Sequence, residues 1–301
     1  MDREVLKKYV KAGEIAKECK KVAKGMVKDG VKIIDIAEKI ESIIKKRKAL
    51  PAFPLNISIN EIAAHYTPDI NDPYVLKNGD LVKIDIGVMV DGYIADTAFS
   101  VMVGEKRNPL IDATEKTLEK FLKEVRPGKT IAELSELVEN SIKEFGFNPV
   151  RNLAGHGLER YVQHAEPSIP NGKVNIQTKL KEGQVIAMEI FATNGMGWVK
   201  ESYPVLIYKY LQDKPVRMRE SRIILELAKD EFRGMPFAKR WLTKVISPLR
   251  ITLALNELVA KNAIVEYPIL KEKSNGIVAQ TEETVILMEK PIITTQLSYE
   301  L

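Results

Sequence analysis

The chain has three histidines in 301 residues, and two of them stand eight residues apart in AGHGLERYVQHAEP, residues 154–167. The third, His65, lies in AAHYTP. Imidazole is the side chain that binds a divalent metal or moves a proton near neutral pH. Glycines on both sides of His156 would let the backbone come close to a ligand. Any one of these histidines could equally be a hydrogen-bonded core residue. The carboxylates sharpen the choice. In KIDIGVMVDGYIADT, residues 83–97, Asp91-Gly92 is the signal of a two-residue hairpin turn. That turn pairs Val90 with Tyr93 and sets Asp96 opposite Gly87, diagonal to Asp85. Both acids then project to one side, about 7–8 Å apart or less. Two solvated acids on a half-exposed hairpin would satisfy the same register. Glu189 in VIAMEIFAT and Glu282 in VAQTEETVILM are also acids inside apolar runs, where an unpaired carboxylate is costly. Asp, Asp, His, Glu, Glu is an oxygen-rich donor set with one imidazole, suited to two hard or borderline divalent ions.

These residues need strands to hold them, and strands need helices to cover them. Residues 3–48 read as two helices separated by Lys28-Asp29-Gly30, because apolar residues recur at helical spacing on either side. Residues 108–126 and 130–146 read as two more, broken by Pro127-Gly128, with Thr130 and Glu133 as a capping box. GQVIAMEIFAT and GIVAQTEETVILME read as strands, and 217–263 as a largely helical segment between them. Strands and helices mix without regular alternation, and no glycine fingerprint follows a strand. The expected class is therefore α+β rather than a doubly wound nucleotide-binding sheet.

Composition sets the outer bounds. The chain is 45% apolar and 29% charged, ordinary for a globular protein. Its single cysteine, Cys19, excludes a disulfide framework and fits a reducing compartment. The charged start argues against a signal peptide, and no apolar run approaches the ~18 residues of a membrane span. A cytoplasmic protein is expected. Residues 1–48 carry 15 Lys/Arg against 8 Asp/Glu, while the whole chain is only +5. A basic helical face can meet a polyanion such as ribosomal RNA, although a solvated helix surface needs no such partner.

AAHYTP, KIDIG…DGYIADT, GHGLERYVQHA, AMEIFAT and AQTEET stand in the order and near spacing of the methionine aminopeptidases. The chain resembles that family over almost its whole length. The resemblance implies the pita-bread fold. It implies that Asp85, Asp96, His156, Glu189 and Glu282 hold two divalent ions (Co, Mn, Fe(II) or Zn), and that His65, His164 and Glu189 are catalytic. It implies a methionine pocket of Phe53, Phe191, Tyr267 and Leu270, with His65 and His164 also touching substrate. The 93 residues between Glu189 and Glu282 resemble the type II enzymes, which carry a helical, winged-helix-like insertion there. The implied division is a catalytic domain at 1–210 and 271–301, and an insertion at 211–270. The short leader is archaeal in style. The implied substrate is the N-terminal Met of nascent chains, with transient ribosome contact, no sequence-specific nucleic acid, and a monomeric enzyme. An Xaa-Pro peptidase of the same fold, or a non-catalytic pita-bread protein that binds RNA or ribosomes, are the competing readings. Three residues depart from the family pattern: Glu283 where His is usual, Ile190 where Thr or Pro is usual, and Gln163 where an aliphatic residue is usual.

Overall fold

Two antiparallel sheets carry the chain, one ten-stranded, the other four-stranded. The computed structural model describes residues 1–105 and 107–297. Helices α1 (Arg3–Met26) and α2 (Ile33–Lys46) lead in. The short strands β1 (Leu50–Pro51), β2 (Asn56–Ile59) and β3 (Ile62–Ala64) follow, then the hairpin β4 (Leu81–Val90) and β5 (Tyr93–Met102). Next come α3 (Pro109–Glu124), α4 (Ile131–Glu144), β6 (Asn148–Pro149), and a second hairpin, β7 (Ala154–Glu159) and β8 (Val162–Pro170). Strands β9 (Val185–Thr193) and β10 (Val199–Tyr210) precede α5 (Arg219–Glu226), β11 (Phe237–Ala238) and α6 (Pro248–Ala260). The chain closes with β12 (Ile264–Glu272), β13 (Val278–Ile286) and β14 (Ile292–Ile293). The long sheet runs β1-β4-β5-β13-β9-β7-β8, and the small one β11-β10-β12-β3.

Strand alternation decides what faces the helices and what faces the interior. The even-numbered residues Val82, Ile84, Ile86, Val88 and Val90 of β4 pack in one core with Ala12, Ala16 and Cys19 of α1 and Ile36 and Ile40 of α2. Ile186, Met188, Ile190 and Ala192 of β9 pack in another with Leu118 and Phe121 of α3 and Val138 and Ile142 of α4. The helices therefore cover one face of the long sheet. Asp85, Glu189 and Glu282 stand at the alternate positions. Ile190, one of the three departures, belongs to the helix-facing core and is fully buried there. The apolar residues that recur at helical spacing in the first two helices are largely the ones that bury, Tyr9, Ala12, Ile15, Ala16 and Cys19 of α1 and Ile33, Ile36, Ala37, Ile40 and Ile44 of α2. Thr130 and Glu133 form the predicted capping box, Glu133 N–H donating to Thr130 Oγ1 at 3.1 Å and Thr130 N–H to Glu133 Oε2 at 2.8 Å.

Residues 217–263 are largely helical, as expected, but the helix is broken into short pieces. Between α5 and α6 lie a π-helical turn at Leu227–Glu231, strand β11 and a 3-10 turn at Lys239–Lys244. Their apolar faces meet in a separate core that includes Ile224, Phe237, Leu242 and Leu255. The segment is tied to the rest by the buried pair Arg240–Glu41, reinforced by Arg240 Nη1 donating to Thr67 Oγ1 at 2.7 Å and Trp241 Nε1 donating to Glu41 Oε2 at 2.9 Å. Strand β12 crosses the boundary expected at 270, pairing with β10 on one side and β3 on the other. No helix among the described residues is long and apolar enough to cross a membrane.

Candidate metal centre and adjoining pocket

Hairpin β4–β5 has the predicted register: Val90 pairs with Tyr93 and Gly87 with Asp96. Asp91 and Gly92 both take positive φ, 52° and 90°, as a type I′ turn requires. Asp85 and Asp96 thus share a face. Gly87 is needed between them, because a Cβ there would lie 2.3 Å from Phe53 Cε1. The missing side chain lets the Phe53 ring lie against the strand beside the acids. Across the sheet, Glu282 pairs directly with Glu189 on one side and with Ala98 on the other. His156 pairs with Ala187, two residues from Glu189. Five strands therefore deliver four carboxylates and an imidazole to one spot.

Like charges placed directly opposite destabilise a sheet, and these are out of water. Burial pushes the Asp85 carboxyl up to about 7, with hydrogen bonds from Gln280 and Asp96 opposing the rise. Burial, and then repulsion from the neighbouring acids, raise Asp96, Glu189 and Glu282 well above the usual carboxylate range. Asp85 Oδ1, Asp96 Oδ1 and Glu282 Oε2 are buried without any hydrogen-bond partner. An orphaned buried acceptor costs about 1–3 kcal/mol, more when charged. Ligand atoms of Asp96, His156 and Glu282 lie within 4.8 Å of one another. That cluster of two carboxylates and an imidazole fits a divalent cation, and Asp85 and Glu189 line the same cavity without belonging to it.

The imidazoles are arranged for different tasks. His156 Nδ1 lies 3.2 Å from the carbonyl of Gly157. A carbonyl only accepts, so Nδ1 carries the proton and Nε2 keeps its lone pair. Burial holds His156 down at about 4, hence neutral. His164, beyond the β7–β8 turn, meets it edge-on at 4.6 Å between ring centroids. His164 is exposed as a residue while its side chain lines the cavity, and so stands at the cavity's mouth. The surrounding protein and the rings of His156 and His65 lower its proton affinity. His65 has φ of 65° and donates from Nδ1 to the Pro268 carbonyl at 3.1 Å, its ring edge-on to Tyr267. Burial lowers its pKa too.

Every side chain expected as a metal ligand, a catalytic group or part of the methionine pocket lines one cavity: Asp85, Asp96, His156, Glu189 and Glu282, His65 and His164, and the apolar Phe53, Phe191, Tyr267 and Leu270. Ala64, Leu153, Ile207 and Pro236 complete the apolar wall. They were not legible, because each is an ordinary apolar residue until β3 and β10 bring Ala64 and Ile207 there and the turns into β7 and β11 bring Leu153 and Pro236. Two buried amides also line the cavity, Asn56 and the departure Gln163, and each has an unpartnered carbonyl oxygen. Asn171 supports the site from outside, donating to the Glu189 carbonyl at 3.0 Å and accepting from Phe191 N–H at 2.8 Å.

Glu283 points away from the acids, as alternation requires. It accepts from Lys20 Nζ at 2.8 Å and from the hydroxyls of Thr97 at 3.3 Å and Thr295 at 2.5 Å. Lys20 and Glu283 form a buried ion pair on the helix side of the sheet. No local pattern links residues 263 positions apart.

The description "metallopeptidase family M24" matches residues 7–225. A methionine aminopeptidase of Thermococcus onnurineus is 49% identical over 296 residues, covering 98% of this chain and 99% of its own. A crystal structure of a methionine aminopeptidase from Thermotoga maritima superposes with a TM-score of 0.71 at 21% identity, covering 99% of this chain and 98% of that one. A thermophilic Arx1 superposes with a TM-score of 0.88 at 17% identity, covering 99% and 92%, a likeness of fold. With a shared pita-bread architecture and near-half identity from end to end, the chain belongs to metallopeptidase family M24, among the methionine aminopeptidases.

Proposed function

We propose that the protein removes the N-terminal methionine from peptides and nascent chains, using two divalent ions held by Asp85, Asp96, His156, Glu189 and Glu282. The observation that carries this reading is the set of orphaned carboxylate oxygens abutting an apolar pocket in one cavity. The bound ions supply Lewis acidity and bring the pKa of water into the neutral range. Glu189 accepts the proton of the attacking water. Its carboxyl lies in the cavity with one oxygen 3.5 Å from Gln280 Nε2. His164, at the mouth beside His156, hydrogen-bonds the scissile carbonyl and stabilises the oxyanion. His65, with Nδ1 committed to Pro268, presents Nε2 to the scissile amide and positions it. Phe53, Phe191, Tyr267 and Leu270 surround the thioether, a polarizable group suited to aromatic contact.

Residues 211–270 form the insertion in this reading, and their β12 contributes Tyr267 and Leu270 to the pocket. The test is methionine release from Met-Ala-Ser after exhaustive chelation and after stepwise return of Mn, Fe(II), Co or Zn, with Ala-Pro as the competing substrate. Release that survives chelation overturns the dimetal reading. Preference for Ala-Pro overturns the methionine reading.

A further inference from the structure

We propose that Asn56 binds the free α-amine of the substrate and so helps to restrict the site to chain ends; this rests on the aminopeptidase reading above. Asn56 lies on β2, directly opposite Asp85 on β4, and opposed residues share a face. It is 5% exposed and lines the cavity. Its Nδ2 donates to the Pro54 carbonyl at 2.8 Å. Because a carbonyl only accepts, this bond fixes which end of the amide is nitrogen. The oxygen is left on the other side, buried and without a donor. Asp85 Oδ1, on the neighbouring strand, is orphaned as well.

The two unpartnered oxygens differ in kind. A cation satisfies the carboxylate, whose charge it balances. A neutral amide oxygen beside four carboxylates is a weaker ligand, and its natural partner is an N–H. Methionine's thioether has no hydrogen to donate. Of the substrate's groups, the α-amine is the one expected among the acids. It has N–H donors that a blocked or internal residue lacks or presents differently. A hydrogen bond from the amine to Asn56 Oδ1 satisfies the orphaned acceptor, and an N-acylated residue offers there a single uncharged N–H, without the charge assistance that strengthens the bond.

The test uses the Mn-loaded protein and two ligands that differ only in the amine, methionine and 4-(methylthio)butanoic acid, with dissociation constants from calorimetry. Asn56→Ala should weaken methionine about 10-fold, the size of one charge-assisted hydrogen bond, and leave the des-amino acid within about 2-fold by the same argument. Metal content should be unchanged. Asn56→Ser, whose shorter side chain cannot place an oxygen at the same point, should behave like Asn56→Ala and serves if the alanine variant does not fold. Equal weakening of both ligands, unchanged methionine binding, or loss of metal from the Asn56 variants would each overturn the proposal. Wild-type protein that binds methionine but does not cleave Met-Ala-Ser would overturn the aminopeptidase reading and leave the assignment of Asn56 standing on its own difference.

Discussion

At the scale of single residues, neighbours in sequence have opposite fates. Glu282 faces three other acids in the cavity, while Glu283 faces Lys20 behind the sheet. Glu282→Ala is expected to lose bound metal, measured by elemental analysis. Glu283→Ala is expected to keep its metal when folded but to lose about 3–5 kcal/mol of stability, because it strands a buried ammonium. Denaturant unfolding reads that loss. The reverse pattern would mean that the ligand is Glu283. The two clustered histidines make a second contrast. His156, buried against the acids, should weaken metal binding when changed to Ala. His164, at the mouth, should keep the metal and lower kcat by ~10²–10³, the usual loss for one oxyanion donor. Equal metal loss in both variants would make His164 a ligand as well.

At the scale of elements, legibility followed locality. Hairpin β4–β5 was readable because Asp91-Gly92 sets its register and alternation does the rest. The four covering helices were readable from periodicity and caps. Hairpin β7–β8 and strands β10 and β12 were not, since prolines at 167, 170, 204 and 268 interrupt their patterns and their partners are distant. The three departures also sort by element. Ile190 lies in the helix-facing core, Glu283 in the buried ion pair, and Gln163 alone reaches the cavity. Helix α4 is held by Glu139 to the segments that flank hairpin β7–β8. It receives Arg151 Nη1 at 2.9 Å and Nη2 at 2.7 Å, Lys143 Nζ at 2.6 Å and the Lys173 amide at 2.7 Å. Burial alone would raise this carboxyl, but those donors outweigh it and hold the pKa at about 2, below its ordinary 4.5. A depressed folded pKa means stability present above about 4.5 and lost as pH falls toward 2. Glu139→Gln should therefore flatten the acid limb of stability against pH in that window. An unchanged limb would show that Glu139 contributes nothing to acid unfolding.

At the scale of the whole molecule, the acids are a conflict that the fold cannot resolve by itself. Asp85 and Asp96 come from one hairpin, His156 from a second, and Glu189 and Glu282 from β9 and β13, so the strands at the middle of the long sheet converge on like charges. Hydrophobic burial on the helix side must hold them together. A cation that binds the folded chain and not the unfolded one stabilises by mass action, about 2.7 kcal/mol at 100 times its dissociation constant. For a chain of this size that corresponds to a rise in Tm of several degrees, at roughly 2–4 °C per kcal/mol. Chelation should thus lower Tm, and return of Mn or Co should restore it in a concentration-dependent way, with no peptide present. The effect should vanish in Glu282→Ala, which lacks the ligand, and persist in His164→Ala, which does not. A Tm indifferent to metal in the wild-type protein would mean that the acids are reconciled by protons alone, and that the centre does not bind a cation tightly enough to act as the site of chemistry.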